Sequence, residues 1–595
     1  MDKRSILGFV LIGVILMMWL YFQSENSKKD EQKKQETQKV DTTKPNVKLD
    51  TTKKEIKKDS VQIVQQNTNL GTIFSAVEKG EEKNIIIETD KYIAELSSKG
   101  GSIKKFEIKG FKTWDGFPVQ LLKLDKGNDL NMIFNSTEGK MINTKELYFK
   151  ASYNPWERKA LRGGEEFTVT FELPIKDSTN SKILKTYKFK NGDYMFGLNI
   201  ELQNSKNYLS NYEYQLVWEN SLKLTEYRSD DEGYFAEAFS YMGDEIEVLE
   251  ASNIGEQKNV NLTGNTDWVS SRIKYFSVFL ISKNPKAAGT YIIGNRSVLP
   301  HEGFEESYSI ALKMPVKNDQ NEKYSFDVYL GPVDYAILKG YEKNMEKTMR
   351  FSLDFLVRPI AQYMILPFFL FIHNFISNWG IVIIVFSIFM KILLTPFTRY
   401  QMKSMMKMSE LQPKMNAMKE KYKDEPQKQQ QMLMKLYKEE KINPAGGCLP
   451  LLLQMPILYA LFGVFNSTIE LRQANFGLWI HDLSIPDTIL KLPFKIPLFG
   501  INEISGLALL LGITMFIQQK MTVKDPKQMA MVYVMPIMLT LLFATLPSGL
   551  NLYYFCFNLL SIGEQIYVKK FKKKKDEVVV VDEKEKPQLR FKGKK

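Results

Sequence analysis

A lysine stands inside one of the most apolar stretches of this chain: Lys391, within the run from Ile381 to Leu394. A charge at mid-bilayer costs roughly 2.5–3.5 kcal/mol on insertion scales, so its presence asks for a reason. Two reasons fit. Lys391 lies about six residues from the end of its apolar run and can snorkel to water along its own stem. It can also line a polar cavity and attract charged chain. Ser387, four residues earlier, shares its helical face. Gln454 interrupts the run from Pro450 to Pro456, and Tyr553, Tyr554 and Asn558 interrupt the last apolar block. Polar groups scattered over several spans commonly bond helix to helix. Joined by a lysine, they favour a wet groove.

Bond-making machinery is missing from the sequence. There are three histidines, His301, His373 and His481, and no GxSxG, HExxH, P-loop or helix-opening GxGxxG pattern. The two cysteines, Cys448 and Cys556, form no CxxC pair, so neither a zinc site nor a disulfide framework is expected. The chain is expected to be no enzyme and to carry no metal or cofactor. A secondary transporter is the alternative, but it needs carboxylates deep in the spans. Glu564 instead lies near the cytoplasmic end of the last one.

The elements that must position these residues are visible in the distribution of apolar side chains. A mean hydropathy of −0.25 and 25% charged residues suggest a soluble protein. The apolar residues are nevertheless gathered into blocks: Ile6 to Phe22, Ile360 to Phe397, and four more between residues 447 and 568. About 20 apolar residues cross a ~30 Å hydrocarbon core as a helix. Residues 1–22 carry Lys3 and Arg4 ahead of the apolar run and no small-residue cleavage site after Phe22, so they read as a retained signal-anchor span. Residues 23–83 are polar and highly charged, a flexible tether.

From 84 to 345 the pattern has period two. Tyr194, Phe196, Leu198, Ile200 and Leu202 share one face of a strand, and Ile183, Tyr187 and Phe189 share a face of its neighbour. Asn191-Gly192 between them is a hairpin signal. Further strands are expected at Ile85 to Glu88, Phe167 to Leu173, Tyr214 to Trp218, Tyr275 to Ser282 and Tyr324 to Leu330. Together they predict a large antiparallel β-sandwich outside the membrane.

Charge decides the topology of the rest. As one helix, Ile360 to Phe397 would be ~57 Å long, too much for one span, and Ser377-Asn378-Trp379-Gly380 divides it. The segment 399–444 holds eleven basic against six acidic residues and belongs in the cytoplasm. Only one half can therefore cross. Residues 351–376, with Asp354, Arg358, Pro359, Pro367 and His373, are expected to lie along the outer interface, while 379–397 spans. Four further spans in 447–568 then alternate, giving six spans with both termini cytoplasmic and residues 23–350 periplasmic.

The cytoplasmic segment 399–444 has helical spacing in Met408, Leu411, Met415 and Met418, a break at Lys423 to Pro426, and a second face with Met432 and Leu436. Its methionines either pack into a hairpin core or offer an adaptable surface to apolar nascent segments. The basic tail, 569–595, opens with Lys569, Lys570, Lys572, Lys573, Lys574 and Lys575, expected to meet ribosomal RNA or anionic lipid.

These stretches resemble a known family. Asn443-Pro-Ala-Gly-Gly-Cys-Leu-Pro-Leu-Leu-Leu-Gln-Met-Pro456, Glu470 to Ala474, Leu478 to Leu483 and Pro547-Ser-Gly-Leu-Asn-Leu-Tyr-Tyr554 are similar to signatures of the YidC insertases. Glu88 to Asp90, Gly100-Gly101 and Pro118 to Gln120 resemble the outer domain of the Gram-negative form. The resemblance implies a polytopic α-helical membrane protein of six spans whose five-helix core encloses a hydrophilic groove. It also implies a periplasmic β-supersandwich akin to sugar mutarotases and a cytoplasmic recruitment hairpin. The implied work is insertion of nascent membrane proteins into the inner membrane, alone or with the Sec translocon and the ribosome. Lys391 falls where the family usually has arginine, and Ser387, Gln454, Tyr553 and Tyr554 fall at its groove positions.

Overall fold

Residues 70–584 are described by the computed structural model, except 152, 155, 177–179, 252, 300–302, 350–353, 424, 441–448, 497–500 and 523–528. The first span, most of the tether and His301 therefore lie outside the described residues. The chain divides into two units between Thr348 and Met349.

In the first unit, alternation becomes two sheets. A five-stranded sheet runs in the order Pro118–Gln120, Ser102–Lys112, Tyr92–Ser97, Asn84–Glu88 and Glu157–Ala160, its last pair parallel. The larger sheet has fourteen strands, with Asn321–Pro332 between Phe276–Asn284 and Met195–Gln203 near its middle. All five of the other expected strands are present, as Asn84–Glu88, Glu166–Pro174, Leu209–Trp218, Phe276–Asn284 and Asn321–Pro332. The Asn191-Gly192 hairpin joins Lys182–Lys190 to Met195–Gln203, but through four residues rather than two. Asn191 stays in the turn and anchors it through its side chain. Its Nδ2 donates to the Gly163 carbonyl at 3.0 Å and to Asp90, and its Oδ1 accepts the Asp90 N–H at 2.8 Å.

Period two also puts a charge inside. Lys185 shares the core face with Ile183, Tyr187 and Phe189 and is fully buried. Its Nζ donates to the Gly100 carbonyl at 3.2 Å and the Leu130 carbonyl at 2.6 Å, and Tyr187 Oη donates to the Gly101 carbonyl at 2.8 Å. The bonds to Gly100 and Gly101 tie the larger sheet to the turn between Tyr92–Ser97 and Ser102–Lys112 of the smaller one. That turn needs glycine: Gly100 and Gly101 have φ of +77° and +51°, and a Cβ on Gly101 would stand 3.2 Å from Phe149 and Phe171.

The second unit is helical apart from one hairpin. Asp354–Ile360 and Leu366–His373 are joined by a π-turn, Ala361–Ile365. Pro367 has no N–H for the Tyr363 carbonyl, and the backbone before it widens. Trp379–Glu410 follows as one unbroken helix, running on past the expected span end at 397. Gln412–Lys421 and Pro426–Glu439 form the two arms of a hairpin, then come Leu449–Ser467, Gly506–Thr522, Met529–Phe543 and Ser548–Lys584. Two described stretches are long and apolar enough to cross a bilayer, Phe355–His373 and Trp379–Arg399; Gly506–Met521 and Val532–Phe543 are apolar but shorter. Between Leu449–Ser467 and Gly506–Thr522 lies a two-stranded hairpin, Thr488–Ile496 with Ile501–Ser505, that the sequence reading missed.

Burial draws the Lys185 pKa down to about 7. The unfolded chain, with lysine near 10.4, then binds the extra proton between those values. The stability it contributes is complete above about pH 10.4 and is lost as pH falls towards 7, at about 1.4 kcal/mol per unit. Pulse proteolysis of the full chain between pH 7.5 and 9.5, following the β-rich unit, should show this slope. Lys185→Met should flatten it by one proton's worth; parallel profiles for the two proteins would refute the burial of an uncharged amine.

Candidate substrate groove

Two stripes of side chains meet where Trp379–Glu410 packs on Ser548–Lys584. One stripe is Ser387, Lys391 and Arg399; the other is Tyr553, Phe557, Ser561 and Glu564, each at helical spacing. Ser387 Oγ donates to the Ile383 carbonyl at 2.8 Å and lies 3.4 Å from the Tyr553 carbonyl. Lys391 Nζ donates to Ser561 Oγ at 2.8 Å and meets Glu564 Oε2 at 2.9 Å, 5.2 Å from the centre of the Phe557 ring. Arg399 Nε reaches the other oxygen of Glu564 at 3.3 Å. Residue numbers rise together along both partners, so the helices run parallel.

This geometry answers the question the lysine posed. The stem leans towards the C-terminal end of its helix, as snorkelling demands, but it ends on a carboxylate. Lys391 is only 8% exposed. The sequence reading gave it no internal partner and noted Glu564 only as a residue near the span's end; the structure pairs the two. Ser561 was missed as well.

Above the pair, the Tyr553 and Tyr554 hydroxyls are buried with no hydrogen-bond partner among the described residues. A buried hydroxyl left unpaired costs about 1–3 kcal/mol, so these two oxygens suit a place where water or polar chain arrives. Gln454 and Asn558 are half-buried, and neither takes part in the ion-pair network. Gln454 sits on Leu449–Ser467, which packs against both helices of the pair.

In the helical hairpin, Leu411, Met415 and Leu436 form a small core, with Met418, Leu433 and Tyr437 packed against it. Met432 is half-buried. Here Met415 and Met418 pack into the hairpin's own interior, while Met434 on the second arm is exposed. The Met408 side chain lies outside the described residues. The last helix carries its backbone through the lysine cluster to Lys584, with Lys570 exposed. The side chains of Lys569, Lys572, Lys573, Lys574 and Lys575 lie outside the described residues.

The other end of the helices is tied off by the loop that follows Leu449–Ser467. Ser548 and Gly549 donate their N–H groups to the carbonyls of Ile485 and Leu483, at 2.8 and 2.9 Å. The buried Asp487 carboxylate accepts from Trp479 Nε1 at 2.9 Å, from the Leu507 N–H at 2.7 Å, and from Ser505 Oγ. Ser505 Oγ in turn accepts the Ala508 N–H at 3.1 Å. Two helix N-termini, each beginning with orphan donors, are thus capped by one loop.

Residues 84–363 match the family described as YidC periplasmic domain, and residues 371–576 match 60Kd inner membrane protein. The membrane protein insertase YidC of Chloroherpeton thalassium is 36% identical over 572 residues, 96% of this chain and 96% of that protein. That of Prosthecochloris aestuarii is 37% identical over 575 residues, covering 96% and 95%. The chain belongs to the YidC membrane protein insertase family. A solved structure of an active YidC insertase with its first transmembrane domain resolved is also similar, 19% identical at a TM-score of 0.34 over 83% of this chain and 94% of that one.

For this YidC family member, Asp487 is the structural residue that the sequence reading missed. Its signal was an acidic residue in an apolar outer loop, far in sequence from the helix it caps. Asp487→Ala should lower the stability of the helical unit by about 1–3 kcal/mol, through a lost cap and a stranded indole N–H. Asp487→Asn, which keeps one accepting oxygen, should cost less. Thermal unfolding of the purified chain in detergent, read by tryptophan fluorescence, measures both; an unshifted alanine variant would contradict the capping role.

Proposed function

We propose that this chain inserts nascent membrane proteins into the inner membrane by lending the polar tail of each substrate a wet half-path. The observation that carries the reading is Lys391: a cation held on the facing surface of two apolar helices, beside buried tyrosine hydroxyls that lack partners. A tail passing these groups exchanges water for protein donors and so crosses at a lower desolvation cost. The substrate's apolar segment meanwhile moves along the helix surfaces into lipid, driven by apolar burial. Capping of the outer helix ends by the 482–487 loop supports a groove closed on that side. The transporter alternative has no support from the family assignment.

The proposed topology has six spans, both termini in the cytoplasm and the β-rich unit in the periplasm, with residues 351–376 along the outer interface. Loop charges support it, as does the bend that Pro367 and the π-turn put into that segment. Ser387, Gln454, Tyr553, Tyr554 and Asn558 line the proposed groove. The hairpin of residues 399–444 recruits substrate, and the basic tail meets the ribosome or anionic lipid, with the Sec translocon as a further partner. The reading requires no cofactor and no bond-making step.

Two measurements test this. At an effective dielectric of about 20, a carboxylate ~4 Å from an ammonium gains on the order of 4 kcal/mol before desolvation. With each variant as the only insertase in cells, Lys391→Ala should slow insertion of substrates with acidic translocated tails more than those with neutral tails. Lys391→Glu should be worse for the acidic ones, and Lys391→Arg should work. Protease protection of the tails reads the result, and equal rates for acidic tails with Lys391→Ala would remove the lysine from the mechanism.

The β-rich unit folds around its own core and holds none of the groove residues. Deleting residues 90–320 should therefore leave insertion largely intact in cells depleted of the native protein. Loss of insertion with the helical unit still folded would move the function into the β-rich unit.

A further inference from the structure

We propose that Glu564 is a movable counter-ion that sets which tails the groove favours, holding Lys391 at rest and passing to Arg399 when a substrate carboxylate arrives. The inference rests on the reading of the groove as the path of the substrate's tail. Glu564 already touches both cations, with Oε2 2.9 Å from Lys391 and Oε1 3.3 Å from Arg399. The two cations differ in their surroundings. Lys391 is nearly buried and also donates to Ser561, whereas the Arg399 side chain is 67% exposed.

A carboxylate leaving Lys391 would strand a buried charge unless another anion took its place. A substrate Asp or Glu is such an anion. Glu564 then needs only to turn about its own side chain, because Arg399 stands beside it with a planar fork suited to a carboxylate. Lys391 is left as the donor for the incoming group, held in place by Ser561, whose own hydroxyl donates to the Phe557 carbonyl at 2.8 Å. Every charge is paired before the exchange and after it, and no helix has to move. A neutral tail brings nothing to exchange and passes a closed Lys391–Glu564 pair. An acidic tail gains only the difference between the pair it makes and the pair it breaks, which keeps the lysine from becoming a trap.

The test uses the full chain as the only insertase and substrate pairs that differ solely in Glu or Gln residues in the translocated tail. Protease protection gives the ratio of acidic-tail to neutral-tail insertion, which a general loss of folding would not move. Glu564→Gln should raise that ratio at least about fivefold, the scale of an ordinary coupling between competing sites. Arg399→Gln should lower it, and the double variant should return to the Glu564→Gln value because nothing remains to be handed over. If Glu564→Gln fails to accumulate, the exposed Arg399→Gln still reads the hand-over. An unchanged ratio in Glu564→Gln, or in Arg399→Gln, overturns this proposal while Lys391→Ala still lowers the ratio. Should Lys391→Ala leave the ratio unmoved, the groove reading itself falls.

Discussion

An ammonium group among apolar helices must find an anion, and in the helical unit much else follows from that need. Coulomb attraction at ~3 Å in a low dielectric is large, yet the desolvation of both ions takes most of it back, so such a pair adds little net stability. Its effect is on specificity. Removing one partner leaves an uncompensated charge, at about 3–5 kcal/mol, so arrangements that separate Lys391 from Glu564 are disfavoured far more than the pair is worth. Ser387 against the Tyr553 carbonyl, Lys391 against Ser561 and Glu564, and Arg399 against Glu564 all require the same parallel register.

The β-rich unit meets the same problem with a different solution. Lys185 is buried more completely than Lys391, but its partners are two backbone carbonyls and no carboxylate. A neutral amine has two hydrogens to give, enough for both acceptors, and burial favours that neutral form by pulling the pKa to about 7. Asp129, next in sequence to Leu130, is likewise buried and pushed up to about 7, while its Oδ1 accepts the N–H groups of Glu219 and Asn220. A structural lysine that only ties a turn to a sheet can give up its charge. Lys391 instead meets a carboxylate, Glu564 Oε2 at 2.9 Å.

How much of this could be read in advance depended on the range of the interaction. Alternation over Ile183 to Phe189 and Tyr194 to Leu202 located strands and their buried faces, because period two is a local property. The same period put Lys185 on the core face, and it was passed over only because lysine is rarely buried. Strand order was not legible: Leu209–Trp218 pairs with Phe304–Pro315 across nearly a hundred residues, and no local pattern selects that partner. The outer hairpin hid behind Pro493, which argues against a strand. In a two-stranded ladder whose register slips between Lys491 and Ile496, a missing N–H does no harm. Glu564 was visible as a residue but not as a partner, since the stripe it shares with Tyr553 and Ser561 has meaning only once the facing helix is known.

The two ends of the proposed groove are chemically unlike, and the difference comes from helix polarity. Gly506–Thr522 and Ser548–Lys584 begin with orphan N–H groups and a partial positive charge. Left open, those donors would offer an arriving polar tail a binding site and hold it at the far end of its path. Here they are occupied: Ile485 and Leu483 carbonyls take those of Ser548 and Gly549, and the Asp487 carboxylate takes that of Leu507. At the opposite end stand the exchangeable pair and an exposed arginine. The ion pair that a substrate could replace thus stands away from the helix ends whose first donors the loop takes up.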